Sequence, residues 1–168
     1  LFHSVPYYTT SPDKLEVEEF NKLGTDASLG CVRMAIADTK WIYENCAVGT
    51  YVKIYDDDNP GPLGKPDTIK ITDMSCVWDP TDDDENNPYS SKKPVIKGAQ
   101  DVIIKKGDKY TVEKGITALD TCSNDITDKL SVVGNVITTK TGTYKVTYQV
   151  KDALNRTAKT DITVTVTD

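Results

Sequence analysis

The placement of proline divides this chain before any other feature is considered. All eight prolines fall at or before Pro94, whereas 31 of the 74 positions from Val95 to Asp168 are Thr, Val or Ile. β-Branched residues pack well on a pleated surface and a proline removes a ladder N–H, so a proline-free stretch rich in them specifies strands. Within it Tyr144, Val146, Tyr148 and Val150 alternate with Lys145, Thr147 and Gln149, and Ile162, Val164 and Val166 repeat the period. Val102 with Ile104, Ile116 with Ala118, Leu130 with Val132, and Val136 or Ile137 supply shorter strands. Turn residues at Gly107, Gly115, Ser123, Gly134, Gly142 and Asn155 punctuate them. This cadence predicts an antiparallel β-sandwich over 94–168.

The residues before Pro94 read differently. Leu1 to Tyr8 suggests a strand, Ala35 to Cys46 a helix with Ala37, Trp41 and Ile42 on one face, and Tyr51 to Tyr55 a second strand. Trp41, Ile42 and Tyr43 are expected in a core. Positions 56–94 hold six prolines and ten carboxylates against four lysines. Such a stretch buries little, so 59–93 is expected to be an acidic, Pro-rich linker, with Trp78 and Ile69 to Ile71 as its docking points. Its acidic run, Asp82 to Glu85, lacks the alternating spacing that aims carboxylates at calcium. The expected organisation is therefore 1–58, a mixed lobe with one helix; 59–93, a linker; and 94–168, a sandwich, mainly β overall.

Charge and cysteine usage narrow the function. A net charge of −6 argues against a partner that offers a phosphate backbone, so no nucleic acid is expected. There is no apolar run long enough to span a membrane and no signal-peptide pattern at Leu1 to Thr10. A single histidine disfavours a catalytic zinc site, and the four cysteines show no CxxC pairing, so neither metal nor cofactor is expected. If Cys31 stays reduced, the other three allow one bridge at most, and Cys46 with Cys76 is the candidate.

Cys31 carries the chemistry worth testing. Gly30 before it permits a tight bend, and the helix expected after it would offer unsatisfied N–H groups and a positive dipole end. Both favour a thiolate and an oxyanion hole. A thiol nucleophile needs a base, and His3 is the only imidazole. Plainer readings stand beside these: a buried structural thiol for Cys31, a cap or core residue for His3, an ion pair with Asp38 for Arg33, and a turn residue for Ser28.

The blocks Phe2-His3-Ser4-Val5-Pro6-Tyr7, Ser28-Leu29-Gly30-Cys31-Val32-Arg33-Met34, Trp41-Ile42-Tyr43 and Gly49-Thr50-Tyr51-Val52-Lys53-Ile54 resemble the C-terminal half of an L,D-transpeptidase catalytic domain of the YkuD type. The resemblance implies Cys31 as nucleophile, His3 as base and the Ser4 carbonyl as the group that orients the imidazole. It implies substrate or oxyanion roles for Gly30, Arg33 and Ser28. Leu29 stands where the family has histidine. The implied reaction cross-links peptidoglycan stem peptides in the extracellular cell wall, without metal or cofactor. It also implies a partner, the N-terminal half of the catalytic domain. Residues 94–168 resemble bacterial immunoglobulin-like surface modules. The alternative function is a non-catalytic surface spacer or binding protein that carries a transpeptidase remnant.

Overall fold

The computed structural model describes residues 1–59, 61, 64 and 66–168, in two compact units, Leu1–Ser91 and Lys92–Asp168. The chain is mainly β.

In the second unit, β-strands numbered by their place in the whole chain are β3 (Val95–Lys97), β4 (Val102–Lys105), β5 (Thr117–Leu119), β6 (Ser131–Val133), β7 (Gly142–Lys151) and β8 (Thr157–Thr167). β3 pairs with β5, and the larger sheet runs β4-β8-β7-β6. The period-2 pattern places Val146, Tyr148 and Val150 of β7 with Ile162, Val164 and Val166 of β8 in the interior. Tyr148 satisfies its buried end by donating its hydroxyl to Val112 O at 2.7 Å. One pairing departs from the antiparallel expectation: β4 runs parallel to β8, Val102 opposite Val164. A parallel pair needs a long crossover rather than a hairpin, and residues 106–156 provide it.

The first unit holds β1 (Phe2–Ser4), α1 (Val17–Phe20), β2 (Val32–Met34) and α2 (Ile36–Asn45). β1 and β2 pair in parallel, with Phe2, His3 and Ser4 opposite Val32, Arg33 and Met34. Val5, Leu15, Val17, Phe20, Ala35 and Ile71 form its core.

Three expectations are corrected here. The segment 59–93 is not a solvated linker along its length: Ile71, Asp79, Pro80, Asn87 and Tyr89 are buried, and residues up to Ser91 belong to the first unit. Polar groups hold it as much as apolar ones. The Asn21 side chain pairs with Ile71 like a strand neighbour, donating to its carbonyl at 2.9 Å and accepting from its N–H at 2.8 Å. Leu15 N donates to Val77 O at 3.0 Å. Trp41 and Tyr43 are not core: α2 buries no residue completely, and those two side chains are 61% and 87% exposed. Tyr51 to Tyr55 is not a strand, since it finds no partner among the described residues, and Tyr51, Val52, Ile54 and Tyr55 are exposed.

Candidate active site

Cys31 sits one residue before β2, in a loop shaped by Ser28 and Gly30. Ser28 Oγ donates to Cys31 O at 2.6 Å and accepts from Gly30 N at 3.2 Å. Gly30 adopts φ +128°, a conformation that side chains with a Cβ rarely reach, so the bend before Cys31 requires glycine. Val32 N donates to Leu1 O at 2.8 Å and fixes the loop's exit to β1. Leu29 is fully exposed.

His3 is opposite Arg33 in the parallel ladder, and Cys31 precedes Arg33 by two residues. Residues opposite each other in a ladder share a face, so His3 and Arg33 lie on one face of the pair, and Cys31 lies in the loop that leads into β2. Strand spacing of ~4.8 Å and a rise of ~3.3 Å per residue place the His3 and Cys31 backbones roughly 8 Å apart. His3 Nδ1 donates to Ser4 O at 2.6 Å. A carbonyl only accepts, so this contact puts the proton on Nδ1 and leaves the Nε2 lone pair available as a base. Among the described residues the Cys31 thiol and His3 share no hydrogen bond.

The expectation that Cys31 begins the helix is corrected. β2 and Ala35 lie between them, and the first helical N–H groups are already taken. Ile36 N donates to Asp79 Oδ2 at 2.9 Å and Ala37 N to Thr81 Oγ1 at 3.1 Å. The dipole end of α2 therefore serves these partners rather than the thiol.

A cavity of about 240 Å³ opens beside Cys31, with Ser28, Arg33, Glu19, Lys22 and Leu23 among its walls. Arg33 pairs with Glu19 at 2.5 Å, not with Asp38 as its nearness in sequence suggested. Glu19 also holds Lys22 at 2.5 Å, and these two cations, Lys22 foremost, keep its carboxyl below the usual range. Sequence reasoning missed Glu19 and Lys22 as wall residues. Their i, i+3 spacing marks a helix-surface pair, but nothing local announces Arg33 as a third member.

None of the four cysteines forms a disulfide, which corrects the Cys46–Cys76 bridge. Cys122 is buried, and burial first, then Asp120 and Asp152, pushes its thiol up to about 12. The thiolate is the reactive form, so iodoacetamide at pH 8 should modify Cys31, Cys46 and Cys76 and spare Cys122 until the second unit is unfolded. Peptide mapping checks this; Cys122 modified as fast as Cys46 in the native protein would contradict it.

Comparison with known proteins finds matches to two segments of the chain. Residues 1–54 match the family model described as L,D-transpeptidase catalytic domain, and residues 94–166 the model described as bacterial surface protein, Ig-like domain. A Bacillus subtilis (strain 168) protein, provisionally named L,D-transpeptidase YciB, is 52% identical over 54 residues, which are 32% of this chain and 27% of that protein. The chain thus spans about a quarter of that relative's length. Among solved structures, Clostridium perfringens ZmpB, in a structure of its CBM51-2 in complex with GlcNAc and INT domains, has 32% identity and TM-score 0.41. That match covers 45% of this chain and 17% of the other. The lipoprotein BT2262 of Bacteroides thetaiotaomicron has 25% identity and TM-score 0.39, covering 45% and 38%.

The first unit therefore carries a segment of a YkuD-type catalytic domain. The chain joins that L,D-transpeptidase family segment to a bacterial surface Ig-like domain.

Proposed function

We propose that the first unit is the nucleophile-bearing part of a peptidoglycan L,D-transpeptidase that works at the bacterial cell surface, with the Ig-like unit as its spacer or attachment module. The observation that supports this reading is the His3 Nδ1 to Ser4 O hydrogen bond, which frees Nε2 on the strand paired with the one that Cys31 leads into. His3 takes the thiol proton as Cys31 Sγ attacks the carbonyl before the terminal D-alanine of a stem tetrapeptide. The C–N bond breaks, and D-alanine leaves with the proton returned by the imidazolium. The resulting thioester is aminolysed by an amine on a neighbouring stem, which restores the thiol and forms the cross-link. The Gly30 N–H is engaged by Ser28, so the Cys31 N–H is the backbone donor best placed for the oxyanion.

A second part of the proposal concerns what covers this unit. Leu1, Trp41, Tyr43, Val48, Tyr51 and Ile54 are each more than half exposed. Leaving side chains of this size in water forgoes roughly 1.5–3 kcal/mol apiece. Among the described residues a two-stranded parallel pair of three residues each also leaves both outer edges open, and parallel sheets are ordinarily covered on both faces. Further catalytic-domain sequence is proposed to close this sheet, and the 168-residue chain alone is expected to show little turnover. Incubation with a tetrapeptide donor tests this: D-alanine release by the monomeric chain at the rate of a complete enzyme would overturn it. The competing reading, a surface module with a catalytic remnant, draws on the same exposed face. It predicts no turnover even after the sheet is completed.

A further inference from the structure

The acidic segment from Asp79 to Asp83 lies outside the family-matched residues 1–54, yet it makes contacts at the start of α2, the helix that follows β2. The N-cap position of α2 is Ala35, whose side chain cannot accept a hydrogen bond. Residues 43 and 44 positions beyond Ile36 and Ala37 do that work. Asp79 Oδ2 takes the Ile36 N–H and Thr81 Oγ1 the Ala37 N–H. The other Asp79 oxygen accepts from Thr81 N at 2.8 Å and Thr81 Oγ1 at 2.6 Å, locking the two acceptors together. Asn87 in turn donates to the carbonyls of Asp79 and Asp82 at 2.9 and 2.8 Å, so the loop is fixed from behind. Lys40, one turn along the helix, reaches Asp83 at 2.5 Å. Asp79 is completely buried, and a buried carboxylate is tolerated where hydrogen-bond donors and the positive end of a helix face it.

We propose that this segment is a clamp that positions the nucleophile strand, with Asp79 as the positioning residue. From Cys31 to Ile36 the chain has only β2 and Ala35 in which to absorb movement, and Ala35 is itself in the core. Pinning Ile36 and Ala37 therefore fixes one end of Val32–Met34, as the Val32 to Leu1 hydrogen bond fixes the other. The clamp sets the register in which Arg33 faces His3 and Cys31 leads into β2. Its catalytic consequence rests on the reading of Cys31 as nucleophile, whereas its mechanical part does not.

The test uses the full chain with Asp79→Asn, Thr81→Val and Asp83→Asn. Amide hydrogen exchange is expected to quicken at least about tenfold at Ile36, Ala37 and Val32 in Asp79→Asn, and less in Thr81→Val. The exposed Asp83→Asn should change these amides little, and amides of the β7–β8 pair should stay as in the parent. If Asp79→Asn loses protection throughout the first unit, Thr81→Val decides: faster exchange confined to 32–37 supports the clamp, and a uniform or absent change overturns it. Unchanged exchange at 32–37 in a folded Asp79→Asn also overturns it. Alkylation of Cys31 by iodoacetamide, read by peptide mapping, adds the functional arm. The effect of His3→Ala on that rate should shrink in the Asp79→Asn background. A His3→Ala effect equally large in both backgrounds overturns the positioning role. If His3→Ala has no effect in either background while exchange quickens, the clamp stands and the nucleophile–base reading fails.

Discussion

Cys31→Ala is expected to lower turnover of a tetrapeptide donor by at least about three orders of magnitude once the sheet of the first unit is complete, because the proposed acyl intermediate forms on its Sγ. His3→Ala follows at roughly 10²–10⁴-fold, the usual contribution of a positioned general base. Both losses should fall on kcat, since neither side chain is assigned to hold the ground-state substrate. Steady-state rates of D-alanine release measure them. A Cys31→Ala protein that retains more than about a tenth of the parent rate would remove the thiol from the mechanism.

Gly98→Ala is the most damaging single methyl that the second unit can receive. Gly98 has φ +82°, where a Cβ is strained in any surroundings, and the added carbon would lie 2.2 Å from the Gly115 carbonyl oxygen. A backbone carbonyl two residues before β5 cannot rotate aside as a long side chain could. Strain and overlap together are expected to cost about 3 kcal/mol or more. Gly134, with φ +129° and Lys145 O 2.4 Å from its would-be Cβ, should behave similarly. Both tryptophans lie in the first unit, so their emission reports on that unit alone, while circular dichroism in the strand region follows the sandwich. The prediction is a lower midpoint in the dichroism of Gly98→Ala; a midpoint matching the parent would contradict it.

Much of this chain is legible from residue order, and the remainder shows where such reading stops. The alternation around Tyr148 and Val164 gives the long strands directly, because a period of two on a half-buried sheet has one structural meaning. The blocks around His3 and Cys31 mark a candidate site because motif and chemistry coincide. The clamp was not. Residues 56–94 have the composition of a solvated linker, and composition averages over positions. Individually, however, Asp73, Asp79, Asp82, Asp84 and Asn87 each accept the N–H two residues on. Such side-chain turns give a proline-rich segment a fixed course without helix or strand. The contacts of Asp79 with Ile36, and of Glu19 with Arg33, join positions 43 and 14 residues apart. No local periodicity encodes them. The helix face bearing Trp41 reads as core because its apolar spacing is that of a packed helix, yet nothing described in the chain covers it.

That uncovered face and the His3–Ser4 contact meet in one measurement. This chain is joined to the remaining catalytic-domain sequence of the Bacillus subtilis relative, incubated with a tetrapeptide donor, and examined by intact-protein and peptide mass spectrometry. The account predicts an added mass equal to the donor less D-alanine, held as a thioester on Cys31, absent in Cys31→Ala and slow to form in His3→Ala. An acyl group on any other residue, or a folded protein that releases no D-alanine, would contradict it.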